Sequence, residues 1–179
     1  MEPVLLPPNY KDIINPLIFL TGPIQGAPRW HNVAISLIHR LDQSIQIASP
    51  SRKVDEIYLA QNTARFKHSQ NQEEWEQVDW EDYHLQKAAD NGVILFWMPK
   101  EKEHFCDRAY AQTTRHEWGV WRTKYSQGEC KIALGVELGF SGEAYIKYKA
   151  SKEFPELPIY ETLHETCTDA VSQINQTRS

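Results

Sequence analysis

The stretch Val93-Ile-Leu-Phe-Trp97 decides how this chain is read. Five apolar residues in a row, rich in β-branched and aromatic types and closed by Pro99, predict a buried strand. Upstream, Leu17–Leu20 is a second apolar run, ending in Thr21-Gly22-Pro23. Between them, Trp30, Val33, Ala34, Leu37, Ile38 and Leu41 recur at helical spacing, which predicts an amphipathic helix over 29–42. Ile45–Ala48 reads as a strand closed by Ser49-Pro50, and residues 51–72, polar and irregular, as a long connection or a short helix plus loop. A helix is predicted from Glu73 to Ala89. Downstream, a long loop over 99–111 leads to a helix over Thr113–Gln127, stopped by Gly128. Lys131–Val136 and Pro158–Tyr160 complete the strands. A last helix places Leu163, Cys167, Ala170, Val171 and Ile174 on one face.

Strands that alternate with helices imply right-handed crossovers and a parallel sheet. The expected fold is therefore α/β, a three-layer sandwich. Its central, mostly parallel five-stranded sheet carries helices on both faces. Residues 1–16 hold four of the ten prolines and no periodicity, and read as an extended N-terminal arm. Residues 17–179 read as a single domain. In such folds ligands bind beyond the carboxyl ends of the strands. That rule points to Thr21–Gly26, Ser49–Arg52 and the segment after Trp97.

Composition narrows the function classes. The 179 residues carry 19 Lys and Arg against 24 Asp and Glu, a net charge of -5. A dedicated nucleic-acid binder has a basic excess, so polymeric nucleic acid is not the expected partner. No apolar run reaches the ~20 residues of a membrane span, and the N-terminus lacks the pattern of a secretory signal. Cys106, Cys130 and Cys167 are odd in number and widely spaced, which suits a reducing cytoplasm rather than a disulfide framework. Several motifs fail on spacing. Gly22 to Gly26 is not a dinucleotide fingerprint, and no phosphate-loop lysine follows. His116-Glu117 lacks the second histidine of a zinc protease, since position 120 is Val120. His104 and Cys106 are too few for a zinc site. Neither metal nor cofactor is expected.

Two acidic positions interrupt apolar patterns. In the helix ending near Ala89, Val78, Leu85 and Ala88/Ala89 step at about 3.6 residues, and the missing step falls on Glu81 and Asp82. In the helix from Thr113, Glu117 shares a face with Thr113, Val120/Trp121 and Lys124. Such carboxylates are either paired, here with Arg115 or Lys124, or functional. Two carboxylates at one site suit cleavage at an anomeric carbon, where one attacks and the other assists. Trp97, at the carboxyl end of its strand, is the tryptophan best placed to stack on a ligand.

Four segments resemble the nucleoside 2-deoxyribosyltransferase-like family, in the branch common in phages and bacteria. They are Ile18–Gly26 with Trp30 beyond it, Ser49-Pro50-Ser51-Arg52, Glu76-Gln-Val-Asp-Trp-Glu81 and Arg115-His-Glu-Trp-Gly119. The resemblance spans roughly residues 17–170 and implies a flavodoxin/Rossmann-like fold. It implies that Glu117 attacks the anomeric carbon of a deoxynucleoside, expels the base and forms a covalent glycosyl-enzyme. Water or a second base then resolves it, making a hydrolase or a transferase. Glu81 matches the family's base-contacting acid by motif, and Asp82 by spacing from Asp90. Thr21, Gly22, Pro23 and Gln25 would line the sugar and its 5' substituent, and Arg52 would meet a phosphate or an acid. Gly135-Val-Glu-Leu-Gly139 is locally closer to the family's nucleophile string and leaves Glu137 as an alternative. The resemblance also implies a homo-oligomer acting on small nucleosides or nucleotides and nucleobases. Two other readings stand beside it: a non-catalytic nucleotide sensor on the same sheet, and an interaction protein whose aromatic stretch is a contact surface.

Overall fold

The computed structural model describes residues 4–51, 70–105 and 109–178. In chain order the elements are β1 (Val4–Leu5), β2 (Leu17–Thr21), α1 (Trp30–Leu41), β3 (Gln46–Ala48), α2 (Gln70–Asn91), β4 (Gly92–Met98), α3 (Gln112–Ser126), β5 (Ile132–Val136), α4 (Glu143–Glu153), β6 (Ile159–Tyr160) and α5 (Leu163–Arg178). The strands form one six-stranded sheet in the order β1-β3-β2-β4-β5-β6, and every pairing is parallel. The molecule is an α/β three-layer sandwich of the Rossmann/flavodoxin-like kind.

The expected sheet had five strands, and the sixth comes from the arm. Val4 and Leu5 pair with Ile47 and Ala48, extending the β3 edge. Val4, Leu5 and Leu6 are all buried. A two-residue strand flanked by prolines is too short to show a period of two, so composition hid it. The arm is fastened again further on, where the Trp80 indole Nε1 donates to the Asn9 carbonyl at 2.8 Å.

Side-chain alternation along the strands divides the core into two layers. On β4, Val93, Leu95 and Trp97 face α1 and α5, while Ile94, Phe96 and Met98 face α2, α3 and α4. On β2, Ile18 and Leu20 join the α1/α5 layer, and Leu17 and Phe19 the other. β4 lies at the middle of the sheet with β2 and β5 as neighbours, and six of its seven residues are buried. This double burial is why its sequence shows no polar alternation. The chain leaves β2 toward β3 and returns to β4 on the far side of β2. The carboxyl ends of β2 and β4 therefore flank a topological switch point, where open α/β sheets leave a crevice. No helix among the described residues is long and apolar enough to cross a membrane. Cys130 and Cys167 are buried free thiols; Cys106 lies outside the described residues.

Candidate functional site

A cavity of about 360 Å³ opens at this switch point. That volume is within the range of small-ligand sites. Thr21 ends β2 and begins the wall. By strand parity it lies on the Phe19 side of the sheet, and its Oγ1 is buried with no hydrogen-bond partner. Gly22 follows because nothing larger fits: a Cβ there would lie 2.2 Å from the Trp97 carbonyl oxygen and 2.6 Å from the Trp30 ring. The Trp30 indole passes under the loop and donates from Nε1 to the Pro23 carbonyl at 2.9 Å. Thr21, Gly22, Pro23 and Gln25 all line the cavity, as the sequence leads one to expect.

The acids come from α2 and α3. Glu81 lines the cavity and accepts a hydrogen bond from Gln77 Nε2, one turn earlier, at 2.8 Å. The buried face of α2 is Trp80, His84, Leu85 and Ala88, which leaves Glu81 on its flank. Val78, expected on that face, is 42 % exposed and lines the cavity instead. Asp82 is exposed and outside the cavity lining. On α3, Thr114, Trp118 and Trp121 are buried, and Glu117 sits between them at the edge of the cavity.

Neither expected cation partners Glu117. Arg115 donates from Nη2 to the Ser141 carbonyl at 2.6 Å and lies over the Phe140 ring. Lys124 donates to Gln86 Oε1 at 3.0 Å and lies over the Trp121 ring. The Glu117 carboxyl is pushed up to about 8, first by burial and then by the charges of Glu81 and Asp82. A buried acid beside a second, charged acid keeps its own proton at neutral pH. Such a pair offers one carboxylate and one carboxylic acid at once, the two groups that acid-assisted displacement requires.

Two further expected positions fall elsewhere, and a third is not among the described residues. Trp97 is not in the cavity: its parity on β4 turns the ring into the α1/α5 layer, where it packs against the backbone of Gly135. Arg52 lies outside the described residues. Glu137 follows β5 and accepts from the Lys100 backbone N–H at 2.8 Å, bracing two loops rather than lining the cavity. The other tryptophans of this stretch are mostly core. Trp80 and Trp118 pack against Phe19 and Phe96, and Trp75 is exposed.

Sequence reasoning missed Gln77, Phe105 and Tyr110, which also line the cavity. The Tyr110 hydroxyl donates to the Pro99 carbonyl at 2.8 Å. Burial, with Glu101 and Glu137 nearby, raises its pKa, so the phenol stays neutral. Phe105 and Tyr110 lie in a long loop, where no periodicity marks which side chains turn inward. Gln77 was legible as the residue one turn before Glu81. No protein-family model matches this chain, and no curated protein matches it significantly.

Proposed function

We propose that this protein cleaves or exchanges the N-glycosidic bond of a nucleoside or nucleotide. The observation that carries the reading is that Glu117 and Glu81 line one cavity of small-ligand size, the Glu117 carboxyl being pushed up to about 8 by burial and by the Glu81 charge. Glu117 holds its proton in the free site; when substrate binds it passes that proton to Glu81 and becomes a carboxylate facing the ligand. It attacks the anomeric carbon as the bond to the base nitrogen breaks. The base departs with the bonding electron pair and takes the proton from Glu81. The oxocarbenium-like transition state draws stabilisation from the Glu117 charge before the new ester bond is complete. Water, or the nitrogen of a second base, then attacks the same carbon, gives its proton to the Glu81 carboxylate and releases Glu117 as the carboxylate. The loop Thr21–Gln25 would hold the sugar, and Tyr110 would close one side of the base. Transfer dominates where the second base excludes water, and hydrolysis where it does not. The resemblance described above favours the same chemistry and a homo-oligomeric assembly, and the odd, widely spaced cysteines favour a cytoplasmic setting.

The test is chromatography of free base released from deoxynucleosides, deoxynucleotides and ribonucleotides, each with and without a second base. Wild type is expected to release base, and folded Glu117→Ala to lose at least 10³-fold of that rate. Glu117→Ala that folds and turns over like wild type overturns the reading. One observation favours a second reading, a nucleotide sensor. The Glu117 carboxyl, pushed up to about 8, keeps its proton at pH 7, a state suited to donating a hydrogen bond without attack. Tight nucleotide binding in calorimetry, with no base released on long incubation, would establish it.

A further inference from the structure

Gln77 stands one turn before Glu81 on α2, half-buried, with its side chain in the cavity wall. Its amide nitrogen is held from both sides. Nε2 donates to Glu81 Oε1 at 2.8 Å and reaches the Pro50 carbonyl, beyond β3, at 3.4 Å. Both partners are acceptor oxygens. Turning the amide over would set its own oxygen against them, so these contacts fix which end of the group points where. The amide oxygen Oε1 accepts no hydrogen bond from a described residue, and it is not enclosed. Gln77 therefore offers the cavity an acceptor of fixed direction, beside Glu81.

The rest of the wall favours the same kind of ligand. The charged side chains among the described lining residues are Glu81, Glu101 and Glu117, all acids. The Tyr110 hydroxyl donates to the Pro99 carbonyl, so toward a ligand its oxygen can only accept. A wall rich in acceptors takes a ligand edge that carries donors, because unmatched polar groups are costly once water is displaced.

We infer that Gln77 and Glu81 together read one edge of the base, and that they select bases with an exocyclic amino group beside a ring nitrogen, as in adenine and cytosine. The inference rests on the glycosidic reading, which puts a proton on Glu81 when substrate is bound. Glu81 Oε1 goes on accepting from Gln77, so that proton sits on Oε2 and is donated to the ring nitrogen. Gln77 Oε1 accepts from the amino group. Oxo bases place a carbonyl where the amino group would be. That oxygen would face Gln77 Oε1, and the amide cannot turn to meet it without breaking its contacts with Glu81 and Pro50. Two acceptors left facing each other in a cavity discriminate more strongly than a missing contact does.

The experiment measures base release from two pairs that differ at this edge, deoxyadenosine with deoxyinosine and deoxycytidine with deoxyuridine. Wild type is expected to favour the amino member of each pair by about tenfold or more in kcat/KM. Gln77→Met, which keeps the length of the side chain and removes its polar atoms, is expected to bring both ratios close to one. A Gln77 that only holds Glu81 in place would slow all four substrates alike in Gln77→Met and leave the ratios unchanged. That result, or equal use of both members by wild type, overturns the inference, while the base released keeps the glycosidic reading intact. The same comparison is made without turnover by calorimetry of free adenine and hypoxanthine. If no compound releases base, the glycosidic reading falls. Adenine bound about tenfold more tightly than hypoxanthine by wild type, but not by Gln77→Met, then upholds the selection, and equal affinities overturn it as well.

Discussion

The chemistry turns on where one proton sits. Glu117 holds it up to about pH 8, and the causes rank as burial, then Glu81, then Asp82. The ranking makes a prediction for the free protein. Replacing Glu81 by Gln removes a neighbouring charge but not the burial. The Glu117 carboxyl, followed by carbon-detected NMR, should then titrate at lower pH than in wild type, yet still above the ordinary 4.5. Asp82→Asn should produce a smaller move in the same direction. A Glu117 titration unchanged in Glu81→Gln would mean that the two acids do not share a site. Both acids were legible because each broke an apolar pattern on its helix. The choice between Glu81 and Asp82 was not, because one residue is 100° on a helix and the pattern sampled that face too sparsely. Trp97 shows the opposite failure. The end of a strand points to the site, but parity decides the face. Thr21 and Phe19 share the cavity side, whereas Trp97 falls in the layer of Val93 and Leu95.

At the scale of elements, strong periods were readable and weak ones were not. β4 is seven residues and α1 twelve, each bounded close to its expected limits. α4 was missed. Only Ile146 and Ala150 are buried on it, and Tyr145 and Tyr148 are largely exposed, so its apolar signal points away from the core. The loop after β2 walls the cavity, and it is held by close packing at Gly22 together with the Trp30 Nε1 hydrogen bond to the Pro23 carbonyl. Gly22→Ala would drive a methyl into the Trp97 carbonyl and the Trp30 ring. Backbone cannot yield as a flexible side chain can. The variant should lose about 2 kcal/mol in urea unfolding, the middle of the range for overpacked interiors. It should also weaken nucleotide binding, because the displaced Trp30 no longer anchors the Pro23 carbonyl. Wild-type stability and binding in Gly22→Ala would show that the loop is free to shift.

For the whole molecule, three buried titratable groups set how stability depends on pH. His31 and His84 are driven down to about 3 and about 4, chiefly by burial, from an ordinary 6.5. The unfolded chain binds their protons first, so their contribution is complete above pH 6.5 and is lost as pH falls toward 4 and 3. Glu117 acts in the opposite direction. Its folded value of about 8 lies above the ordinary 4.5, so the folded chain holds a proton that the unfolded chain has released. Its contribution is complete below pH 4.5 and is lost as pH rises to about 8. From these three groups stability should climb to about pH 6.5, decline to about pH 8 and then level off. Glu117→Gln isolates the descending part. The amide keeps the shape of the acid and needs no proton to remain neutral. Above pH 8 the variant should exceed wild type by about 2 kcal/mol, the full shift being discounted because the side chain is only partly buried. That corresponds to a rise of roughly 5 °C in Tm for a chain of this length. The two proteins should converge at pH 5. A site that stores instability in an acid it must discharge is expected to trade stability against turnover. Parallel melting curves across pH 5–9 for wild type and Glu117→Gln would show instead that Glu117 titrates as an ordinary surface acid, and the raised carboxyl on which the proposed chemistry depends would be lost with it.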